Sequence, residues 1–459
     1  MKKTLILALA LALVGGVAYA NFCARDVVPA ASLLVPYAVV DLNADGTPNA
    51  AGYSTLFAIT NVSSDYQLVH ITVWSAQSDA VVDWDVLLTG YDVWTINFRD
   101  LLTGKFGTFD TGVDILDPTL GDPWGPSTNR AGIVPNLPDP VDPDPAIAGC
   151  NFPYGNRPTL GPIITGKLRS AIIAQTDQYV DDCKSGVPDF ASPPWLSGLT
   201  DNPVFFYATA DVVGACNTAF PNDTGYWTGN GGGRYPIARN VLIGDVIWVN
   251  DSTKYSESIP AVHLEASNGA QTAGLYAFYD RYANAAGVED DREPLGTAFG
   301  FRYINNVAST QIIVWQDHLD AEYDDNLTYA CHAYAYYAFD ENENALARGG
   351  GGPSGFDIAE PDVIPFETQS APLNATNWYG IPADAGWMLL VFDPSIDGDT
   401  NSVRQAWVGV RYLSGAYSTS LEAATLANYN CFSNQVLPRL GIDQESGFGN
   451  FPTTLPYLP

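Results

Sequence analysis

Oxygen-bearing side chains alternate along an acidic turn near the N-terminus. Asp41, Asn43 and Asp45 stand at positions 1, 3 and 5 of an EF-hand-type calcium loop, Gly46 supplies the bend at position 6, and Asn49 stands at position 9. The glutamate expected at position 12 is missing, and no helical pattern flanks the loop. The spacing predicts a structural calcium ion bound by Asp41, Asn43, Asp45 and Asn49. The alternative is an Asx-rich turn without metal.

The histidines lack the motifs that usually accompany catalysis. The chain has four, at His70, His263, His318 and His332. His263 with Glu265, or His318 with Asp317, has the residue types of an acid–base pair. However, no Gly-x-Ser-x-Gly elbow or His-Glu-x-x-His helix is present. In so acidic a chain, chance explains these neighbours, and we assign no catalytic residue.

Carboxylates and aromatic rings suggest a second chemistry, the binding or hydrolysis of glycans. A glycosidase needs two carboxyl groups about 5–9.5 Å apart, which sequence alone does not reveal. The chain has 11 Trp and 25 Tyr, most of which are expected to fill the core. Trp74 is the candidate for a sugar-stacking ring, because its strand phase predicts that it faces outward.

Alternation with a period of two dominates residues 53–100. Between 67 and 75, Val69 and Ile71 point to one side, predicted to be buried, while His70 and Trp74 point to the other. This pattern, rich in β-branched and aromatic residues, is typical of antiparallel strands with one buried face. The elements that position the candidate residues are therefore predicted to be strands.

Strand-like runs recur in two blocks, at 33–40, 53–100, 204–213, 241–250, 261–266, 298–305, 311–315, 329–339, 387–392 and 404–412. An Asn-Val-x-Ser sequence at 61 and again at 306, each before a Val-Trp pair, suggests two similar sandwiches. The predicted fold is mainly β, an antiparallel β-sandwich or jelly-roll-like architecture. It has two packed β units, a long Pro-rich insertion and one or two short helices.

The organisation along the chain follows from these signals. Residues 1–20 are predicted to be a signal peptide. Residues 21–290 form the first unit, with the Pro-rich insertion at 105–162 and a helix at 167–182. Residues 291–459 form the second unit with its C-terminal segment.

The N-terminus and the charge predict where the protein is found. Lys2 and Lys3 precede ten apolar residues, Leu5–Val14, and Ala18-Tyr19-Ala20 resembles a cleavage site. We expect secretion to the periplasm, cell surface or exterior, without a transmembrane anchor. The 51 acidic and 20 basic residues give a formal net charge of −31, which disfavours nucleic acid as a partner.

Six cysteines in an exported chain favour disulfides over metal binding. Six allow 15 pairings. Our hypothesis pairs Cys150 with Cys183, Cys331 with Cys431, and Cys23 with Cys216.

Several segments together resemble a known family. They are ITNVSSDYQLVHITVW, LTGYDVWTINFRDLL, NVLIGDVIWVND, AVHLEA, DDREPLGTAFGFRYINN and IIVWQDH. In this order they resemble a group of exported bacterial β-rich proteins with no known activity. The resemblance implies a β-rich exported protein and carries over no substrate or catalytic residue.

The expected function is that of a secreted or surface-associated structural or adhesive β-sandwich protein without enzymatic activity. Its expected partners are cell-surface glycans or other copies of the same chain. The alternative is a carbohydrate-binding module, or a glycan-acting hydrolase that uses acidic and aromatic surface residues. Exposed aromatic rings beside an open groove would favour that alternative.

Overall fold

The structure, a computed structural model, describes the chain in separate stretches. They are residues 28–102, 203–229, 235–266, 277–317, 334–351, 367–374, 381, 384–392, 405–414 and 418–427, apart from 44, 46, 77, 79, 215–218, 284 and 285. The predicted signal peptide (1–20), Pro-rich insertion (105–162), helix (167–182) and all six cysteines lie outside them. The cleavage site and the disulfide pairs therefore stay predictions.

Nine strands form the first unit. They are β1 (Ser32–Val40), β2 (Tyr53–Asn61), β3 (Gln67–Ser75), β4 (Ala80–Leu88), β5 (Val93–Asn97), β6 (Val204–Val213), β7 (Leu242–Asn250), β8 (Tyr255–Pro260) and β9 (Val262–Leu264). Three short helices accompany them, α1 (Phe98–Leu102), α2 (Thr224–Thr228) and α3 (Asp280–Ala283).

Nine further strands form the second unit. They are β10 (Ala298–Ile304), β11 (Ser309–Gln316), β12 (Tyr334–Asp340), β13 (Ala345–Gly351), β14 (Thr368–Pro372), β15 (Ala385–Val391), β16 (Ala406–Leu413), β17 (Ser418–Glu422) and β18 (Ala424–Ala427). The predicted fold class is confirmed, since the described residues are mainly β and their sheets are antiparallel and packed together.

The chain contains the same topology twice. In the first unit, sheet A has the strand order β5-β2-β7-β8 and sheet B the order β4-β3-β6-β1-β9. In the second, sheet C has the order β14-β11-β16-β17 and sheet D the order β13-β12-β15-β10-β18. Adding nine to each strand number of sheets A and B reproduces sheets C and D. The two units are therefore two versions of one nine-stranded sandwich.

A threonine cross-links the same pair of strands in each unit. The hydroxyl of Thr55 on β2 accepts the N–H of Val39 on β1 (2.8 Å) and donates to its carbonyl (3.1 Å). Thr310 on β11 makes the same two bonds to Ile304 on β10, at 2.8 and 3.0 Å. Because β1 and β2 correspond to β10 and β11, the repeat extends to side-chain hydrogen bonds.

The Asn-Val-x-Ser echo does not mark this repeat. Its first copy, at 61, links β2 to β3, and its second, at 306, links β10 to β11. Topology instead equates the β10–β11 link with the β1–β2 link. Two similar sandwiches are present, but the sequence signal offered for them falls at non-equivalent places.

Sheets A and B bury their side chains differently. On β5, Val93 and Thr95 are exposed while Trp94 and Ile96 are buried, as the alternation predicts. On β3, every residue is buried. Sheet B lies between two layers, because β1 and β6 also contact β11 and β14 of sheet C. The prediction of one buried face is therefore wrong for sheet B.

A proline helps to join sheet B to the second unit. The ladder between β1 and β6 shifts register between Val35 and Ala38, on either side of Pro36. Proline has no N–H to donate to a ladder, so it is accommodated at such irregularities. The Pro36 carbonyl accepts the hydroxyl of Thr368 on β14.

The hydrophobic cores follow this layering. The main core joins sheets A and B and takes in Ile313, Trp315 and Trp407 of the second unit. A separate core lies between sheets C and D. Within the described stretches, none of the helices is both long enough and apolar enough to cross a bilayer.

Candidate functional site

The face of sheet B turned away from sheet A, called here its outer face, carries a group of buried polar side chains. Asp211 on β6 accepts hydrogen bonds from Ser32 on β1, from Tyr226 (2.8 Å) and from Tyr279 (3.0 Å). Burial, together with the charge of Asp211, raises the pKa of Tyr226 and of Tyr279 well above the ordinary value. Both hydroxyls therefore stay protonated and act as donors.

Arg292 supplies the positive charge of this group. Its Nη1 lies 3.0 Å from Asp290 Oδ1, its Nε lies 3.5 Å from Asp211 Oδ1, and Nε also donates to Ser32. Burial opposes the charge on Arg292, but Asp290 and Asp211 outweigh it and raise the pKa of the guanidinium. The result is a closed ionic cluster within the first unit.

His70 sits between two carboxylates on the neighbouring strand β4. Its Nδ1 lies 2.9 Å from Asp85 Oδ1, and its Nε2 lies 3.4 Å from Asp83 Oδ2. Burial alone would lower the pKa of His70, but hydrogen bonding to Asp83 and Asp85 and their charges raise it to about 10. The imidazole is therefore charged at neutral pH, and a residue predicted to face outward is fully buried.

Arg281 on α3 bridges the two units. Its Nη1 lies 2.9 Å from Asp317 at the end of β11 and 2.6 Å from Glu367 just before β14. Its Nη2 donates to the hydroxyl of Ser78 in the first unit (2.9 Å). Although burial lowers the pKa of Arg281, the two carboxylates raise it well above its usual value. The cluster holds one cation against two anions.

Arg411 on β16 forms a second bridge. It donates to Glu257 on β8 and to the hydroxyl of Tyr255 (2.7 Å), and its guanidinium lies 5.7 Å from the ring of Trp248. Arg411 belongs to the second unit, and its partners belong to the first. The two units are thus held together by buried, charge-assisted hydrogen bonds as well as by apolar contact.

The other candidate residues do not form an acid–base site in the described stretches. His263 accepts the N–H of Gly244 at Nε2 (3.0 Å), so that nitrogen carries no proton. Asp317 forms an ion pair with Arg281 and also accepts a hydrogen bond from the Gln405 amide (3.0 Å). His318 and His332 lie outside the described residues.

Trp74, predicted to face outward, is fully buried on the outer face of sheet B. Its ring stacks on Tyr207 and on Tyr282, with centroids 5.7 Å away in both cases. Its indole N–H donates to Thr209 (2.9 Å). The alternation predicts the correct side of β3 for Trp74, but that side is covered, so Trp74 offers no ring to a sugar.

The predicted calcium ligands lie in the link between β1 and β2. They are Asp41, Asn43, Asp45 and Asn49. Asp41 is buried and accepts the N–H of Tyr53 (2.7 Å), and Asp45 accepts the N–H of Thr47 (2.9 Å). The Asn43 amide donates to Thr47 (3.0 Å), and the Asn49 amide accepts the N–H two residues on (3.0 Å). In the described residues no three His, Cys, Asp or Glu side chains group as metal ligands. The predicted set is two carboxylates and two amides, so calcium stays a prediction.

Two exposed tyrosines share one end of the first sandwich. Tyr66 is 37% exposed and Tyr91 is 71% exposed. Their loops meet, because the N–H of Tyr91 donates to the carbonyl of Ser63 (2.9 Å). An exposed ion pair, Arg239 with Asp65 at 2.7 Å, lies beside them. Rings next to polar side chains are a feature of sugar-binding surfaces.

The buried arginines are the residues that sequence reasoning missed. Arg281 and Arg411 pair with carboxylates far away in sequence, and Arg292 pairs with the distant Asp211 as well as with the nearby Asp290. No local motif announces the distant pairs. The scarcity of basic residues, 20 against 51 acidic ones, is the available signal. Because basic residues are scarce in this chain, each arginine is a better candidate for a buried ion pair than it would be in a basic chain.

These observations define a duplicated antiparallel sandwich whose polar residues join sheets and units. No protein-family model, curated protein or solved structure matches the chain.

Proposed function

We propose that this chain is an exported structural or adhesive protein, in which two sandwiches act as one rigid body. The observation that carries the proposal is the pair of buried arginine bridges, from Arg281 to Asp317 and Glu367, and from Arg411 to Glu257. A protein that transmits force or holds a fixed spacing on a surface needs such fixed joints. A flexible linker between two modules would not supply them.

The bridges support orientation more than stability. A buried ion pair costs desolvation energy that its attraction only partly offsets, so an apolar contact would stabilise equally well. Charged partners restrict the relative position of the two units more than apolar contacts do, because a displaced pair leaves a buried charge without its counter-ion. Two such bridges, at different places between the units, fix their relative orientation.

The remaining parts of the proposal come from the sequence. Residues 1–20 direct export and are removed, and disulfides form outside the cytoplasm. A calcium ion bound by Asp41, Asn43, Asp45 and Asn49 would stabilise the first link of the first unit. Surface glycans or other copies of the chain are the partners.

The test is a gene deletion in the cells that produce the protein. Loss of the chain should weaken surface attachment, and wild-type chain should restore it. Protease added to intact cells should degrade the protein, which shows that it is exposed. An Arg281→Met/Arg411→Met chain whose thermal unfolding shows that it is still folded should reach the surface but restore attachment poorly. Full attachment without the gene, or turnover of a polysaccharide by the purified protein, would overturn the proposal.

A carbohydrate-binding module is the second candidate. It is favoured by Tyr66 and Tyr91, which are exposed on adjoining loops beside the Arg239–Asp65 pair. The negative charge of the chain favours neutral or amino sugars over acidic ones. Glycan-array binding that Tyr91→Ala abolishes and Leu421→Ala preserves would support this candidate, since Leu421 is also exposed (54%) but lies on β17. No binding to any glycan would dismiss it.

A further inference from the structure

One face of sheet A combines apolar character with solvent exposure. This open face consists of Leu56, Ala58, Thr60, Val93, Thr95, Ile243, Asp245, Ile247, Val249, Ser256, Ser258 and Pro260. All twelve are half-buried or exposed, and Val93 is 56% exposed. Asp245 is the one charged residue among them. A β-branched surface with a single charge is unusual on a chain with a net charge of −31.

The equivalent face of the duplicated sheet is already an interface. On sheet C, Ile313 and Trp315 of β11 and Trp407 of β16 belong to the main core of the first unit. The ring of Trp315 lies 5.9 Å from that of Tyr207 in sheet B. Sheet C thus packs its outer face on a neighbouring sandwich. Sheet A has the same topology, and the residues of its corresponding face are half-buried or exposed.

The end of sheet D where β10 ends and β15 begins carries complementary groups. On the outer face of sheet D, Arg302 and Trp387 are cross-strand partners. Trp387 is half-buried and stacks on Phe339, with centroids 3.8 Å apart. Val307, in the link that follows β10, is 77% exposed. We name Arg302, Val307 and Trp387 together the Trp387 end.

Arg302 is free to exchange partners. Its pair with Glu341 (2.6 Å) is solvent-exposed on both sides, with exposed side-chain fractions of 65% and 56%. Exposed pairs contribute little to stability, so an acid on another chain can replace Glu341 at low cost. Tryptophan and arginine are also the residues that most often dominate binding energy in interfaces.

We propose that copies of this chain associate head to tail, the Trp387 end of one copy docking on the open face of the next. Trp387 and Val307 cover the aliphatic residues around Ile247, and Arg302 pairs with Asp245. This contact between two chains resembles the contact that sheet C makes with sheet B within one chain. It is heterologous, so it leads to rings or open filaments rather than closed dimers. It rests on the proposed structural role for its biological meaning.

Charge supports this arrangement over a symmetric one. Two chains with this net charge repel each other, so a stable contact needs surfaces with few acids. Placing two open faces together would also bring two copies of Asp245 into one interface. Docking the Trp387 end there supplies one of the scarce cations instead. Electrostatic complementarity of this kind fixes register as well as partner.

The test is a charge exchange measured by sedimentation velocity over a range of concentrations of the mature full-length chain. Wild type should show species that grow beyond a dimer. Asp245→Arg and Arg302→Asp should each weaken association by about 100-fold, because each places like charges together. The chain that carries both substitutions should regain assembly. Asp251→Arg and Lys254→Asp change the net charge equally at an exposed pair in the β7–β8 turn, and should assemble like wild type.

Three results would overturn the inference. They are a monomer at every concentration, a dimer that does not grow and ignores Arg302→Asp, and a folded double variant that fails to assemble. Thermal unfolding of each variant verifies that it is folded. A monomeric wild type that still restores attachment would refute the assembly and keep the structural role. A wild-type chain that assembles but does not restore attachment would keep the assembly and refute the structural role.

Discussion

The two five-stranded sheets hold equivalent places in the two sandwiches, yet their outer faces differ in how many buried polar side chains they carry. Sheet B presents His70, Thr72, Asp83, Asp85, Thr209 and Asp211. Sheet D presents Ala298, Tyr337, Phe339, Leu389 and Val391, which form an apolar cluster of their own. Both sets are buried. Topology thus decides which side chains share a face but not their chemistry.

The ionic face belongs to the sheet that contacts another sandwich. Sheet B meets sheet C, and ionic clusters line or adjoin that side of it. Apolar contacts tolerate sliding, whereas a buried charge must meet its counter-ion. We infer that the charged version of the face specifies orientation. The apolar cluster on sheet D stabilises the fold by burying hydrophobic surface, without specifying an orientation.

The largest expected effect comes from breaking the joint at Arg281. Arg281→Met leaves Asp317 and Glu367 buried without their cation, which should lower the free energy of unfolding by about 3–5 kcal/mol. Denaturant unfolding followed by tryptophan fluorescence measures it. Arg239→Met, at an exposed pair with Asp65, should cost less than about 1 kcal/mol. Equal losses in both variants would show that the buried bridge has no special role.

The ionic face of sheet B should also give a pH signature. The pKa of His70 is raised to about 10 in the folded chain, above the unfolded value of 6.5. Its contribution is therefore fully present below about pH 6.5 and is lost as the pH rises through about 10. We expect a loss of roughly 1.5–3 kcal/mol over this window, the range for hydrogen bonds to charged groups.

The control for this signature is His70→Gln, which lacks a titrating group at that position. Unfolding free energies of both chains, measured from pH 6 to 10, should differ most at the acidic end and converge at the alkaline end. Parallel curves for the two chains would mean that His70 is neutral in the folded protein.

The apolar face of sheet D should respond differently. Leu389→Ala removes a buried aliphatic side chain next to Tyr337 and should cost about 2 kcal/mol, toward the low end for such changes because Leu389 is 9% exposed. This loss should be the same at low and high salt and from pH 6 to 10. A strong dependence on salt or pH would mean that sheet D, too, depends on charge.

Sequence alone predicted the strands of this fold where alternation or β-branched content was strong. The runs at 204–213 and 241–250 agree with β6 and β7. Strand β13 was missed, because its last three residues, Gly349, Gly350 and Gly351, are glycines, which are depleted in strands. Strand β8 was missed because YSESIP is short and mostly polar.

The sites were less predictable than the strands. His70 and Trp74 were placed on the correct side of β3, but whether that side is covered depends on sheet C and on the helices. Those elements lie more than 100 residues away in sequence. A single-sequence pattern gives the phase of a side chain, and not what packs against it.

The smallest expected effect concerns the links that the two units have in common. The β10–β11 link is closed by Asn305, whose amide oxygen accepts the N–H of Thr310 (3.2 Å) and whose amide donates to Leu373 (2.8 Å). The equivalent β1–β2 link uses Asp41 and Asp45 instead. Carboxylates in place of amides suit a calcium ion, which would fix the first link of the first unit.

Without the acidic twelfth ligand, affinity should fall into the weak extracellular class, about 10⁻⁴–10⁻³ M. At about 1 mM free calcium and a dissociation constant of about 0.1 mM, linkage gives a stabilisation of about 1.4 kcal/mol. Thermal unfolding with calcium and with chelator measures it. Asp45→Ala should abolish the calcium response, whereas Asn305→Ala should destabilise the chain and leave the response intact. If chelator does not change the wild-type melting curve, or if Asp45→Ala responds fully, the β1–β2 link is an Asx turn without metal, and both units close this link by hydrogen bonds alone.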